Sequence, residues 1–256
     1  MKAVILAGGL GSRLSEETHS IPKPMVEIGG RPILWHILKY FSHFGINDFV
    51  ICLGYKGYII KEYFSNYFLH MSDVTLDIAK NRMEIHEERA ENWKITMVDT
   101  GLNSMTGGRI KRIQNYLNDN ENFFMTYGDG LANIDINALR KFHDKNQRLA
   151  TVSACNPPAR FGSLSIEDGR VIDFDEKPAI GERIINGGFF VLSKKVIKYI
   201  KDDHATWENE PIRNLVKDNQ LSAYIHNDFF QPMDTLRDKN YLESLWNDSK
   251  APWKVW

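Results

Sequence analysis

The chain has 256 residues, 43% hydrophobic and 25% charged, the composition of a globular protein long enough for one large α/β domain. Its 32 basic and 33 acidic residues leave a formal net charge of −1, which excludes the broad basic footprint of a nucleic-acid binder but leaves room for a small basic pocket. Two cysteines without a CxxC partner argue against a zinc site or redox pair, and no apolar run approaches the ~20 residues of a membrane span.

The elements follow in order. Residues 4–7 read as an apolar strand, 33–44 as a helix stopped by Gly45, 49–53 as a strand and 57–68 as a helix. Residues 74–78, 82–86 and 95–98 read as shorter strands, 109–117 as a helix, and 123–126 as an apolar strand. A helix over 136–145 and a strand over 150–155 follow. Such alternation predicts an α/β fold with a mostly parallel, Rossmann-like sheet flanked by helices, its ligand beyond the carboxyl ends of the strands.

The second half is mixed. Residues 164–166 and 171–175 around Asp168-Gly169 predict a hairpin, 187–192 a strand, and 194–200 and 210–218 helices. The polar stretch 71–92 reads as a small projecting β arm, suited to pairing with another subunit in a homo-oligomer. No linker or repeat divides the chain, so a single domain over 1–256 is expected. Its nucleotide-binding part spans about 1–130, a sugar-phosphate part about 131–240, and a tail 241–256. The N-terminus is a strand and phosphate loop rather than a signal peptide, and low cysteine use fits a cytoplasmic protein with no membrane partner.

The first strand runs into Gly8-Gly9-Leu10-Gly11-Ser12-Arg13-Leu14. A buried strand ending in a glycine turn brings backbone N–H groups close to anionic oxygens, and Arg13 and Lys23, the latter between Pro22 and Pro24, add positive charge. Leu14 stands where the dinucleotide fingerprint needs its third glycine, and the Gly-Lys-Ser/Thr of a P-loop is absent. A nicotinamide-dependent oxidoreductase is thereby disfavoured.

Carboxylates fall at two points. Asp129, flanked by glycines after the strand at 123–126, is placed to hold Mg²⁺ against phosphates, against the plainer reading of an Asp-Gly turn. Asp234 in Gln231-Pro232-Met233-Asp234-Thr235 is either a second ligand or a helix N-cap. Lys177 in Glu176-Lys177-Pro178 is presented on an extended segment, Asn186-Gly187-Gly188 allows a polyhydroxylated ligand to approach the backbone, and Ser104–Arg109 carries a glycine pair before a helix.

In this order the segments resemble the sugar-1-phosphate nucleotidyltransferases, or nucleotide-sugar pyrophosphorylases. The resemblance is carried by Gly8–Leu14, Pro22-Lys23-Pro24-Met25, Gly128-Asp129, Glu176-Lys177-Pro178 and Asn186-Gly187-Gly188. Asp99-Thr100-Gly101, Tyr127-Gly128-Asp129-Gly130 and 231–238 are similar to a cytidylyl-transferring subgroup; Ser12 departs from the usual threonine but keeps the hydroxyl. The resemblance implies transfer of a cytidylyl group from CTP to α-D-glucose 1-phosphate, giving CDP-glucose and pyrophosphate, with Mg²⁺. It further implies supply of CDP-glucose for deoxysugars of bacterial surface polysaccharide such as O-antigen. It assigns Leu6, Ala7, Gly8, Gly9, Leu10, Gly11, Ser12, Arg13, Lys23, Ser104, Arg109 and Gly128 to the nucleotide, with Arg13 on the leaving phosphates and Lys23 at the reacting one. Lys177, Asn186 and Gly187 go to the sugar phosphate, and Asp129 and Asp234 to the metal. The alternatives are the same reaction with UTP or dTTP, and a catalytically silent nucleotide-binding module.

Overall fold

The apolar run near the amino end forms β1 (Ala3–Ala7), every residue of which is buried. A strand apolar on both faces belongs in the middle of a covered parallel sheet, and β1 sits there. The structure, a computed structural model, describes residues 1–256 apart from 87–88, 120, 157–162, 168–169 and 176–183.

Six further strands complete the sheet: β2 (Asp48–Leu53), β3 (Lys94–Asp99), β4 (Asn122–Tyr127), β5 (Ala150–Cys155), β6 (Ile185–Ser193) and β7 (Leu221–His226). Their order is β7-β5-β6-β4-β1-β2-β3. β1 pairs in parallel with β2 and β4, β2 with β3, and β5 with β7. β6 alone runs antiparallel, against β4 and β5. Its amino end therefore lies at the edge where the parallel strands have their carboxyl ends.

Helices cover both faces. α1 (Ile33–His43), α4 (Ile136–Asn146) and α6 (Leu236–Asn247) bury apolar residues in the cluster containing Ala3, Ile5 and Ala7. α3 (Thr106–Arg112) and α5 (Glu210–Lys217) bury theirs with Val4 and Leu6. Each fully buried Ile, Leu or Phe side chain contributes about 1.5–3 kcal/mol.

Several elements differ from the sequence expectation. The helix expected over 57–68 is α2 (Gly57–Ser65) and a separate turn of helix, Tyr67–Met71. At Asn66 the side-chain amide and backbone N–H both donate to the Glu62 carbonyl, a local competition that ends α2. The helix expected from 109 starts at Thr106, because Gly107 and Gly108 let its first turn press against other backbone. A Cβ on Gly108 would lie 2.3 Å from the Asp203 carbonyl oxygen. Residues Lys194–Tyr199 form a 3₁₀ helix. The hairpin strands are Ser163–Glu167 and Arg170–Asp175; their connecting Asp168-Gly169 lies outside the described residues. The arm is a separate two-stranded sheet, Asp73–Asp77 with Arg82–His86, and it exposes Leu76, Ile78, Met83 and Ile85. Among the described residues no helix is long and apolar enough to cross a membrane.

The tryptophan-rich tail folds back on α1. His36 is fully buried, with Trp246, Trp253 and Trp256 ring centroids 4.7, 6.2 and 6.4 Å from its own. Trp253 Nε1–H donates to His36 Nδ1 at 3.3 Å, so Nε2 carries the ring's proton and donates to the Ile28 carbonyl at 2.8 Å. Burial lowers the His36 pKa from 6.5 to about 4. The fold therefore holds the neutral ring. Its stabilisation is complete above pH 6.5 and is lost as pH falls towards 4, by at most about 3 kcal/mol. Urea unfolding across this window should show the loss in the parent chain, and a smaller one in His36→Gln. Parallel profiles for the two would show that another group titrates.

Candidate active site at the carboxyl edge of the sheet

After Ala7 the chain turns through Gly8–Gly11 into the 3₁₀ turn Ser12–Leu14. Gly11 has φ +66°, and a Cβ there would crowd Thr18 Cγ2 at 3.0 Å and Lys23 Cβ at 3.1 Å, so only glycine fits. The Thr18 hydroxyl is shared between the Gly11 and Leu14 carbonyls at 3.0 and 2.9 Å and fastens the end of the turn. Gly9 faces open space, with nothing within 4 Å of a built Cβ. Leu10, Ser12 and Arg13 are exposed there, while Leu6 and Ala7 are buried.

Under the turn lies Arg109. Its Nη1 donates to the Leu53 carbonyl (3.0 Å), the Thr100 hydroxyl (2.8 Å) and the Gly101 carbonyl (2.8 Å); Nη2 donates to the carbonyls of Gly8 (2.9 Å) and Leu102 (3.3 Å). One guanidinium thus ties the ends of β1 and β2 to the segment that precedes α3 and carries the buried Ser104. Gly128 lies on the other side of β1, its N–H donating to the Leu6 carbonyl at 3.0 Å.

Charged groups converge beside the turn. Lys23, in a 3₁₀ turn entered from Pro22, is buried, and its Nζ donates to Asp129 Oδ2 at 2.7 Å and to Asp234 Oδ1 at 2.8 Å. Arg13 Nη1 donates to Asp234 Oδ2 at 3.0 Å. Burial alone would lower the Lys23 pKa, but the charges and hydrogen bonds of Asp129 and Asp234 outweigh it and raise the pKa above the ordinary lysine value.

The two aspartates meet because a short pair of strands brings them together. Gly130–Ala132 pairs antiparallel with Phe230–Pro232, and the Met233 N–H donates to the Asp129 carbonyl at 2.8 Å. Thr235, not Asp234, caps α6: its side chain accepts from the Asp238 N–H, and the Asp238 carboxylate accepts from the Thr235 N–H, a capping box. The cap leaves the Asp234 carboxylate for Lys23 and Arg13. Two hard oxygen donors aimed at one cationic position fit a magnesium ion, which takes one or two carboxylates and completes its shell with phosphate and water. Among the described residues no group of three or more His, Cys, Asp or Glu is suited to hold a metal.

Gly187 packs so closely that a Cβ would lie 2.2 Å from Cys155 Sγ, which makes room for the backbone at the amino end of β6. Asn186 is exposed beside it. Lys177, with Glu176 and Pro178, lies outside the described residues. Thr18, the Thr235–Asp238 box and a Tyr127–Glu208 pair at the same edge were not anticipated. Only Thr-x-x-Asp before a helical pattern carried a local signal.

A family model for nucleotidyl transferases matches residues 2–249. A glucose-1-phosphate cytidylyltransferase of Salmonella typhi is 60% identical over 256 residues, all of both chains. A probable glucose-1-phosphate cytidylyltransferase of Bacillus subtilis is 45% identical over 257 residues, again all of both. Among solved structures, HddC from Yersinia pseudotuberculosis complexed with GMP-PN is similar with a TM-score of 0.67 and 26% identity, covering 96% of this chain and 99% of that one.

The turn's geometry separates its glycines. A Cβ on Gly8 would lie 2.2 Å from Arg109 Nη1, and that guanidinium is held by its five acceptors and cannot swing aside freely. Gly8→Ala should therefore lose about 1–3 kcal/mol of stability in urea unfolding. Gly9→Ala should stay within about 0.5 kcal/mol of the parent. Equal stability of the two variants would mean that Arg109 is not the fixed wall of the turn.

Proposed function

We propose, for a chain that belongs to the nucleotidyl transferase family, that it transfers a cytidylyl group from CTP to α-D-glucose 1-phosphate, giving CDP-glucose and pyrophosphate. The observation that carries the reading is the convergence of Arg13, Lys23, Asp129 and Asp234 beside the glycine turn. Two relatives matched along their whole length bear the name of this activity.

The chemistry asks for alignment and charge neutralisation. A phosphate oxygen of the sugar phosphate forms a bond to the α-phosphorus of the nucleotide. The bond to the oxygen bridging the α- and β-phosphates breaks in line, and its electron pair leaves with pyrophosphate. The attacking oxygen is already anionic, so no general base is needed. Lys23 stabilises charge developing on the α-phosphate, and Arg13 meets the leaving phosphates. The turn Leu6–Arg13, with Ser104, Arg109 and Gly128, holds the nucleotide. Lys177 binds the sugar phosphate, and Asn186 and Gly187 meet the sugar hydroxyls. Asp129 and Asp234 would hold Mg²⁺, which when bound supplies Lewis-acid neutralisation of the phosphates.

Two further proposals concern the setting. The apolar residues exposed on the arm support assembly into a homo-oligomer. Buried, unpaired Cys52 and Cys155, whose thiols burial pushes up to about 12 and about 11, fit a reducing cytoplasm.

Pyrophosphate release should be measured with glucose 1-phosphate, Mg²⁺ and each of CTP, UTP, dTTP, ATP and GTP. Release with CTP alone, abolished by EDTA, is expected. Release with UTP or dTTP instead would move the base pocket, and release with none would favour a silent binder. Lys23→Ala should lower kcat by about 10²–10³; unchanged turnover would remove its role. Replacing Leu76 and Ile85 with serine should shift the sedimentation coefficient towards the monomer, and an unchanged coefficient would exclude the arm from assembly.

A further inference from the structure

The segment that follows the glycine turn is held from two sides. The 3₁₀ turn Ser12–Leu14 continues into a single helical turn, Ser15–Thr18. From the loop after β2, the Tyr55 hydroxyl donates to the Thr18 carbonyl at 3.4 Å, and Lys56 Nζ donates to the His19 carbonyl. From α6, Lys239 Nζ donates to Glu17 Oε1. Glu17 and Lys239 have no part in the proposed chemistry, yet their side chains are only 29% and 22% exposed.

Arg13 and Glu17 stand four residues apart and reach the same short stretch of chain. Asp234 lies just before the Thr235 cap, and Lys239 lies one turn inside α6. The two contacts have opposite polarity, cation to acid at Arg13–Asp234 and acid to cation at Glu17–Lys239. A slip of the segment along α6 would bring Arg13 towards Lys239 or Glu17 towards Asp234, like charge against like. The two pairs together therefore fix one register. The α6 side of this contact is itself fixed, by the capping box and by the Lys239 N–H donating to the Thr235 carbonyl at 3.1 Å.

The pairs differ in their surroundings. The Arg13 side chain is 76% exposed, so water and salt weaken its pair, while Glu17–Lys239 is mostly covered and is screened less. In the proposed reaction Arg13 turns to the leaving phosphates and Asp234 to the metal, which draws the exposed pair apart. Among the described residues, Glu17–Lys239 is then the ion pair that still joins the segment 12–19 to α6.

We infer that Glu17 and Lys239 are positioning residues, whose ion pair keeps the turn carrying Arg13 seated on α6 while Arg13 exchanges Asp234 for the phosphates of the nucleotide. The inference rests on the reading of Arg13 as a phosphate contact. It also gives a use to an acidic side chain beside a phosphate loop: Lys239 neutralises Glu17, so the carboxylate does not repel the nucleotide.

The test is the set Glu17→Gln, Lys239→Gln, their double variant, Lys239→Arg and Arg13→Ala. Each is read by calorimetric titration with CTP and Mg²⁺, and by steady-state kinetics with CTP and glucose 1-phosphate varied in turn. Glu17→Gln and Lys239→Gln should each weaken CTP about fivefold, in Kd and in KM. Their kcat and KM for glucose 1-phosphate should stay within about twofold, and Tm within about 2 °C. The double variant should be no worse than either single one, because both remove the same pair. Lys239→Arg, which keeps the charge, should bind CTP as the parent does. If Lys239→Gln weakens CTP and Glu17→Gln does not, Lys239 meets the nucleotide itself and the proposal is overturned. It is equally overturned if either variant lowers Tm and raises both KM values alike, the mark of a merely structural contact. If Arg13→Ala weakens CTP or lowers kcat while neither Glu17→Gln nor Lys239→Gln does so, the positioning role is wrong and the reading of Arg13 stands. If Arg13→Ala changes neither, the reading of Arg13 falls and this proposal with it.

Discussion

The ammonium of Lys23 between Asp129 and Asp234 is the interaction on which the site depends. Three segments far apart in the chain reach one point there, and two of them bring like charges. Without a cation the aspartates would repel across a partly desolvated gap; with one, each carboxylate has a partner at hydrogen-bond distance. Removing one member of a buried pair typically costs about 3–5 kcal/mol, and a part-exposed cluster such as this one less. Among the described residues Arg13 joins them, two cations with two anions. Such a quartet opposes approaching phosphates far less than bare carboxylates would.

A second constraint is space. The glycine turn works because atoms of other segments already fill the places where side chains would go: the Arg109 guanidinium at Gly8, and Thr18 and Lys23 at Gly11. Arg109 then binds the ends of adjacent strands through carbonyls and the Thr100 hydroxyl, which fixes backbone positions without asking any other side chain to be charged. The antiparallel β6 contributes by direction. It begins where its neighbour β4 ends, so Asn186–Gly188 join Tyr127–Asp129 at one edge.

Much of this was legible in the sequence. The buried first strand, the alternation of strands and helices, the arm and the positions of Arg13, Lys23, Asp129 and Asp234 all follow from local pattern or from the family resemblance. What escaped was set by distant contacts. Gly107 and Gly108 are poor helix formers and read as a turn, yet they open α3 because the 203–205 backbone lies against them. The strand Leu221–His226 mixes polar and apolar residues, as suits an edge strand exposed in part to water, and its period gave no clear signal. Whether Asp234 or its neighbour Thr235 takes the helix end is a further point that spacing cannot decide. Glu208 lies 81 residues from the tyrosine it meets, beyond any local motif.

The quartet also bears on how the chain comes together in time. Lys23 and Asp129 are separated by 106 positions, and Arg13 and Asp234 by 221. During synthesis the lysine can first meet only one of its two aspartates, and the second arrives after the remaining strands of the sheet have emerged. Contacts of such sequence separation form late and slowly. The cluster is consequently completed late in the chain's assembly, since its last member stands directly before the Thr235 cap of α6.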